Sequence, residues 1–319
     1  MKIKDAVKKI QDEFNLDEAG AEKIIEKAAK GKEFDDESGL DDWLHNRLIK
    51  NSVLIDEQGY SRMCINALKI LSKTAPTDYG SSRQRDLGQL WADMTRGYLG
   101  ELAFQMFMKK RWGVEAELGH ERGELSDYLS MDIHRVKKQG EAVREPKIGI
   151  GIKTTKWNGI WMDIPGNQFE HSDIHVLIKI GAKRDHLFAF FKNLSVFKDK
   201  VLKRGEEVGS LSKEESAELF DTLPSFEPIP AYICRFVSKN KTYEQLAYEG
   251  KKGRLHYTIT SWNGPIRPGD MDLVKKKEKI QGKVKFEGIG EFSHEGGYLF
   301  STGNLLWGDK DWQKIYDAL

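Results

Sequence analysis

Cysteine is scarce in this chain, with two residues, Cys64 and Cys234, in 319. Neither belongs to a CxxC pair or has a histidine at zinc-ligand spacing, so neither a disulfide framework nor a structural zinc organises the fold. Both thiols are expected to be reduced core residues. Proline is sparse too, with eight, and there is no internal repeat or low-complexity tract. No stretch reaches the roughly 20 uninterrupted apolar residues that a membrane-spanning helix needs. The opening MKIKDAVKKIQDEF is charged and amphipathic and lacks the apolar core of a signal peptide. These absences predict a soluble cytoplasmic protein with no membrane partner. GxxxxGK[ST], GxGxxG after a strand, HExxH and GxSxG are all missing, which removes the signatures of P-loop nucleotide hydrolysis, dinucleotide binding, zinc proteolysis and the nucleophile elbow.

What is present is ample material for a core. Hydrophobic residues make up 39% of the chain and charged residues 32%, with fifteen Phe, ten Tyr and eight Trp. This composition excludes extensive disorder and predicts two or three subdomains around one main core. The net charge of +1 does not advertise nucleic-acid binding, but a balanced total can hide local concentration. Residues 1–60 hold ten Lys/Arg against fifteen Asp/Glu, whereas residues 239–291 hold twelve against seven. The basic end is the better candidate for facing DNA; a solvated face bearing Lys275, Lys276, Lys277 and Lys279 is the plainer reading of the same charges.

Periodicity divides the chain into three regions: 1–80 helical, 81–240 core, and 241–319 a recognition or accessory region rich in β pattern. Ile3, Val7 and Ile10 recur at helical spacing, and Asp17 is a natural N-cap for the next helix. A second helical stretch is read from Leu40 to Ser72. Breakers and small polar residues follow in Thr74-Ala-Pro-Thr-Asp-Tyr-Gly. From Leu87 to Trp112 the residues Leu87, Trp91, Met94, Tyr98, Leu102 and Met106 predict a long helix with one buried stripe. Strand-like runs follow at Met131–Val136, Ile148–Thr155, Ile160–Ile164, Ile174–Ile180 and Leu187–Phe191. Residues 212–220 look helical, Ala231–Val237 reads as a buried strand, and a closing helix follows Asp309.

The segment Lys147-Ile-Gly-Ile-Gly-Ile-Lys-Thr-Thr-Lys carries the most information. As a strand it sets Ile148, Ile150 and Ile152 on one face and Gly149, Gly151 and Lys153 on the other. Two glycines weaken a strand, so a bare face beside a lysine implies that something approaches closely. A lysine simply emerging at a strand end is the alternative. Upstream, Glu101 sits in the helical Gly97-Tyr-Leu-Gly-Glu-Leu-Ala-Phe, where Gly97 and Gly100 hint at close packing. Next comes Ser126-Asp-Tyr-Leu-Ser-Met-Asp-Ile-His; downstream, Asp173 opens a further strand.

This order of helix acid, aspartate, strand lysine and strand resembles the PD-(D/E)XK nuclease superfamily, which includes many type II restriction endonucleases, over residues 97–180. The resemblance implies an α+β fold with a restriction-endonuclease-like core of central mixed sheet flanked by helices. It implies Glu101 as the helix acid, Asp132 or Asp127 as principal metal ligand, and Lys153 as the motif lysine, with Mg²⁺ as cofactor and Mn²⁺ as substitute. Asp132 directly precedes a strand; Asp127 precedes Tyr128 in the Asp-aromatic manner of many relatives; either suits a turn or N-cap as well. The pattern departs at Gly151, where the family carries Asp or Glu. Another acid takes over its role, or the acid was replaced, or catalysis has been lost. The activity implied is hydrolysis of double-stranded DNA by a sequence-specific, restriction-type homodimer. A repair or junction nuclease and an inactive nuclease-fold DNA-binding protein are the alternatives.

Candidate DNA contacts lie outside this core: Arg83, Gln84 and Arg85 before the long helix, Lys156 at the end of the lysine strand, and Arg254, Asn263 and Arg267 in turn-rich C-terminal sequence. Ordinary surface roles are equally compatible with each. His171 and His175, four residues apart across a loop and a strand, read as structural.

Overall fold

The computed structural model of the chain describes residues 1–71, 86–119, 131–287, 290–291 and 297–319. It is an α+β protein. Helices α1 (Ile3–Phe14), α2 (Glu18–Lys30) and α3 (Glu37–Asp42) lead into a π-helical segment, Trp43–Ile49. Asp17 caps α2 by accepting from Gly20 N at 2.7 Å, and α1 buries Ala6, Val7, Ile10 and Phe14. The helical stretch expected from Leu40 onward is interrupted by strand β1 (Ser52–Ile55), which pairs antiparallel with a later strand. Helix resumes only in α4 (Glu57–Leu71). Four residues carry too little pattern to announce a strand; the ladder offered by the partner decides their conformation.

Helix α5 (Leu87–Trp112) has the bounds its sequence predicts. Asp86 Oδ1 accepts from Gln89 N at 2.8 Å, and Gly113, at φ 64°, terminates the helix in the left-handed region. Strands β2 (Glu115–Leu118) and β3 (Ile133–Lys137) form an antiparallel pair. Then come β4 (Ile150–Lys156), β5 (Trp161–Ile164), α6 (Gly166–His171), β6 (Ile174–Ile180) and α7 (Arg184–Lys192). Leu187–Phe191, expected as a strand, lies inside α7 and buries Ala189 and Phe190. A run of five apolar residues is too short for periodicity to separate helix from strand. A π-helical segment (Phe197–Leu202), α8 (Lys203–Glu207), α9 (Lys213–Asp221) and β7 (Ile229–Ser238) complete the middle of the chain.

The central sheet runs β1-β7-β6-β4, with β4 parallel to β6 and the other pairings antiparallel. Both faces are covered, which explains why β6 and β7 read as nearly unbroken apolar runs. On one face Val176, Ile178, Ile229 and Ile233 pack with Leu99, Ala103, Phe104 and Phe107 of α5. On the other, Leu177, Tyr232 and Cys234 pack with α1, α2 and the segment from Leu40 to Leu48. Both cysteines are buried and free, and burial pushes the Cys64 thiol up to about 11 and the Cys234 thiol up to about 12.

The second face also holds charge. Glu33, on the connection between α2 and α3, is 1% exposed. Its carboxylate accepts from Lys179 Nζ of β6 at 2.5 Å and Trp43 Nε1 at 2.9 Å, while its carbonyl accepts from Arg47 at 2.7 Å and Arg235 of β7 at 3.4 Å. Burial pushes the carboxyl pKa up, but the Lys179 and Arg235 charges and the hydrogen bonds outweigh it and hold the group below its ordinary value. The N-terminal helices are thereby tied to the sheet by a buried ion pair as well as by apolar contact.

The C-terminal part builds a smaller sheet, β11-β10-β9-β8, from β8 (Ala247–Lys252), β9 (His256–Asn263), β10 (Lys283–Phe286) and β11 (Gly290–Glu291), with α10 (Asp270–Glu278) against it. Strand β12 (Tyr298–Ser301) returns to pair antiparallel with β5. Trp161 stacks on Trp262 with centroids 4.6 Å apart, joining the two sheets' neighbourhoods. Helix α11 (Asp309–Ala318) closes the chain, with Trp312 in the main core. Among the described residues no helix is long and apolar enough to cross a membrane.

Candidate active site

Three elements bring the predicted site together. Helix α5 supplies Glu101, which is 5% exposed. One residue earlier, a Cβ on Gly100 would stand 2.0 Å from Thr154 Oγ1 of β4, so only glycine lets helix and strand approach this closely. Gly97 serves differently: nothing lies within 4 Å of where its Cβ would be, and it leaves the space before Glu101 open.

Asp132 stands at the entrance to β3 and is fastened to β4 twice. Its backbone N donates to Ile150 O at 3.1 Å, and its Oδ2 accepts from Ile152 N at 2.5 Å. Strand β4 behaves as its alternation predicts: Ile150 and Ile152 enter the core, while Gly151 and Lys153 look away from it. Lys153 Nζ donates to Gln168 Oε1 of α6. Asp173 is structural, its Oδ2 accepting from Gly149 N at 2.7 Å where β4 and β6 begin.

Glu101, Asp132, Gly151 and Lys153 line one polar cavity of about 360 Å³, with Asp93, Arg96, Gln168, His171, Ser172 and His175 completing its walls. The two histidines read as structural from sequence are therefore wall residues of this site. Sequence periodicity had no means of finding them, because His175 arrives through the parallel register of β4 and β6, in which it stands opposite Gly151, and His171 arrives at the end of α6.

That register leaves no room for an acid at position 151. A Cβ at position 151 would come within 2.6 Å of His175 Nδ1 and 3.1 Å of Ser172 Oγ. The imidazole fills the volume a side chain at 151 would need. His175 is 1% exposed, and its ring stacks on Phe169 at 5.6 Å, which stacks on Tyr298 of β12 at 4.0 Å. No side chain hydrogen-bonds either ring nitrogen among the described residues. Burial, and after it the charge of Lys153, lower its pKa to about 4, so the ring is neutral at neutral pH.

Three carboxylates line the cavity: those of Glu101 and Asp132, and that of Asp93, which pairs with Arg96 at 3.1 Å. Magnesium needs no more than one or two, because waters and substrate phosphate oxygens complete its shell, so the donor chemistry fits. Among the described residues no group of three or more His, Cys, Asp or Glu is arranged to hold a metal ion, and a closed centre of protein ligands is not what this cavity provides. Asp127, the alternative ligand, and Arg83, Gln84 and Arg85 lie outside the described residues.

The other predicted DNA contacts stand apart from the cavity. Lys156 is exposed at the end of β4. Arg254 is exposed in the turn between β8 and β9, and Asn263, also exposed, donates to Glu244 Oε2 at 3.5 Å. Arg267 donates to the carbonyls of Tyr243 at 2.7 Å and Glu244 at 3.1 Å, which commits its guanidinium to holding a loop. No family model, curated protein or solved structure matches this chain.

Proposed function

We propose that the chain is a metal-dependent endonuclease of the PD-(D/E)XK class acting on double-stranded DNA. The observation that carries this reading is the convergence of Glu101 from α5, Asp132 from the start of β3 and Lys153 from β4 on one polar cavity. Glu101 and Asp132 would hold Mg²⁺, or Mn²⁺ in its place. Once bound, such an ion stabilises charge on the phosphoryl oxygens and assists the leaving oxygen. Lys153, held by Gln168, presents an ammonium to the attacking water or to the charge that builds on the phosphate. Asp132 is kept in register with Lys153 by its bond to Ile152 N. A sequence-specific homodimer of the restriction type is the form that suits palindromic duplex sites.

Purified protein should cut plasmid DNA with Mg²⁺ or Mn²⁺ and not in excess EDTA, and Lys153→Ala should lower the rate at least ~100-fold while leaving thermal unfolding unchanged. Cutting that survives either treatment refutes the assignment. Discrete fragments on a gel favour restriction; smearing or preference for branched substrates favours a repair nuclease. Gly151 favours a second reading, a nuclease-fold protein that binds DNA without cutting it, because the strand contributes no carboxylate and His175 fills the place. Retention of a duplex by protein that never cuts it, with either metal, would decide for that reading.

A further inference from the structure

A second cavity, of about 270 Å³, adjoins the first across Arg96, which lines both. Lys23, Lys156 and Lys183 stand around it with Arg96, and no acidic residue lines it among the described residues. Its floor is apolar, with Leu16, Ile24, Ile180 and Pro230, and it holds Trp157 and Asn158. Trp157 is braced by the Phe14 ring at 5.4 Å in an edge-on arrangement. Three lysines, and Arg96, whose guanidinium also pairs with Asp93 at 3.1 Å, surround an apolar, aromatic-containing hollow and form an uneven environment. Phosphates suit the rim, and a flat ring suits the interior.

We propose that this hollow is a subsite for one unpaired nucleotide of the DNA strand whose phosphodiester occupies the Glu101–Lys153 cavity. The inference rests on the nuclease reading above, in its repair form rather than its restriction form. Strand β4 connects the two places. Lys153 lines the first cavity, Lys156, three residues on and about 10 Å farther at ~3.3 Å per residue, lines the second, and Arg96 lines both, so a strand crossing Lys153 and Arg96 reaches Trp157 with its neighbouring nucleotides. Stacking on Trp157 rewards any base, since every base has a π-face. Asn158 adds an amide able to pair with a base edge. The cavity is smaller than the ~300 Å³ at which pockets begin to take drug-sized ligands, which suits one base rather than a base pair. A base in the hollow has left its duplex, so the subsite selects DNA that is mismatched, bulged or already opened, where extrusion costs least.

The test is binding in EDTA, where no cutting occurs, read by fluorescence anisotropy with two labelled duplexes of one sequence, one fully paired and one with a single bulged base. The wild-type protein should prefer the bulged duplex. Trp157→Ala should remove about 10-fold of that preference, and Trp157→Phe should restore most of it, since a ring remains to stack on. Lys183→Ala, at an exposed position, should weaken binding to both duplexes and lower the salt dependence without touching the fold. Equal affinity for the two duplexes in the wild type, or an unchanged preference in Trp157→Ala protein, overturns the subsite. Metal-dependent cutting without a bulge preference overturns the subsite alone. A bulge preference in protein that never cuts with Mg²⁺ or Mn²⁺ overturns the nuclease reading and leaves the subsite standing.

Discussion

At position 151 the chain has glycine, and the His175 imidazole fills the volume that a side chain there would need. An acid introduced there alone should therefore fail: Gly151→Asp drives its Cβ into His175 Nδ1, 2.6 Å away, and overpacking of this kind costs about 1–3 kcal/mol. Chemical denaturation should show that loss, and Gly151→Asp with His175→Ala should recover most of it. An additive double variant would mean the two side chains do not compete. His175 also sets a pH response. Its folded pKa of about 4 lies below the ordinary histidine value of 6.5, so between these pH values the unfolded chain binds a proton that the folded one refuses. Stability is full above pH 6.5 and falls as pH drops toward 4, by at most roughly 3 kcal/mol from this group. His175→Gln should flatten the denaturation midpoint across that window; an unaltered slope would assign the effect to other groups. At this scale Glu101, Asp132 and Lys153 were legible because their order along the chain carries the pattern. His171, His175 and Gln168 were not, because only the pairing of β4 with β6 and the return of α6 bring them in.

Helix α5 and strand β4 are the two elements whose spacing sets the site. Gly100 is where they touch, with 2.0 Å available to a Cβ against Thr154 Oγ1. Gly100→Ala should push the helix off the strand, costing about 1–3 kcal/mol, and separate Glu101 from Lys153. Nuclease assays should show a fall in cleavage larger than the fall in folded fraction, whereas Gly97→Ala, with nothing within 4 Å, should be tolerated by the fold. Loss of stability at Gly97 instead of Gly100 would mean the helix packs elsewhere. The bounds of α5 could be read in advance because its stripe, its Asp86 cap and its Gly113 stop all agree. Strand β1 and helix α7 could not. The first is four residues whose ladder comes from β7, far along the chain; the second is an apolar run that either period can accommodate.

Across the molecule, the described residues pack into three apolar clusters, two on the faces of the central sheet and one in the C-terminal sheet. Composition predicted ample core and the family resemblance implied the α+β class, but neither foresaw that a charge would fasten the N-terminal helices to the sheet. Glu33→Ala leaves Lys179 buried at 5% side-chain exposure without its carboxylate, and breaking such a pair costs on the order of 3–5 kcal/mol. Thermal unfolding should register it, with partial rescue by Lys179→Met, which removes the stranded charge. A loss below ~1 kcal/mol would mean that water enters to solvate the lysine.

The partnership of Gly151 with His175 makes the two positions interdependent. An aspartate placed first at 151 meets an occupied volume, and a small residue placed first at 175 empties a packed stack on Phe169. Either order of change passes through a less well packed protein, so the cavity gains an acid from β4 at this position only when both side chains are exchanged at once.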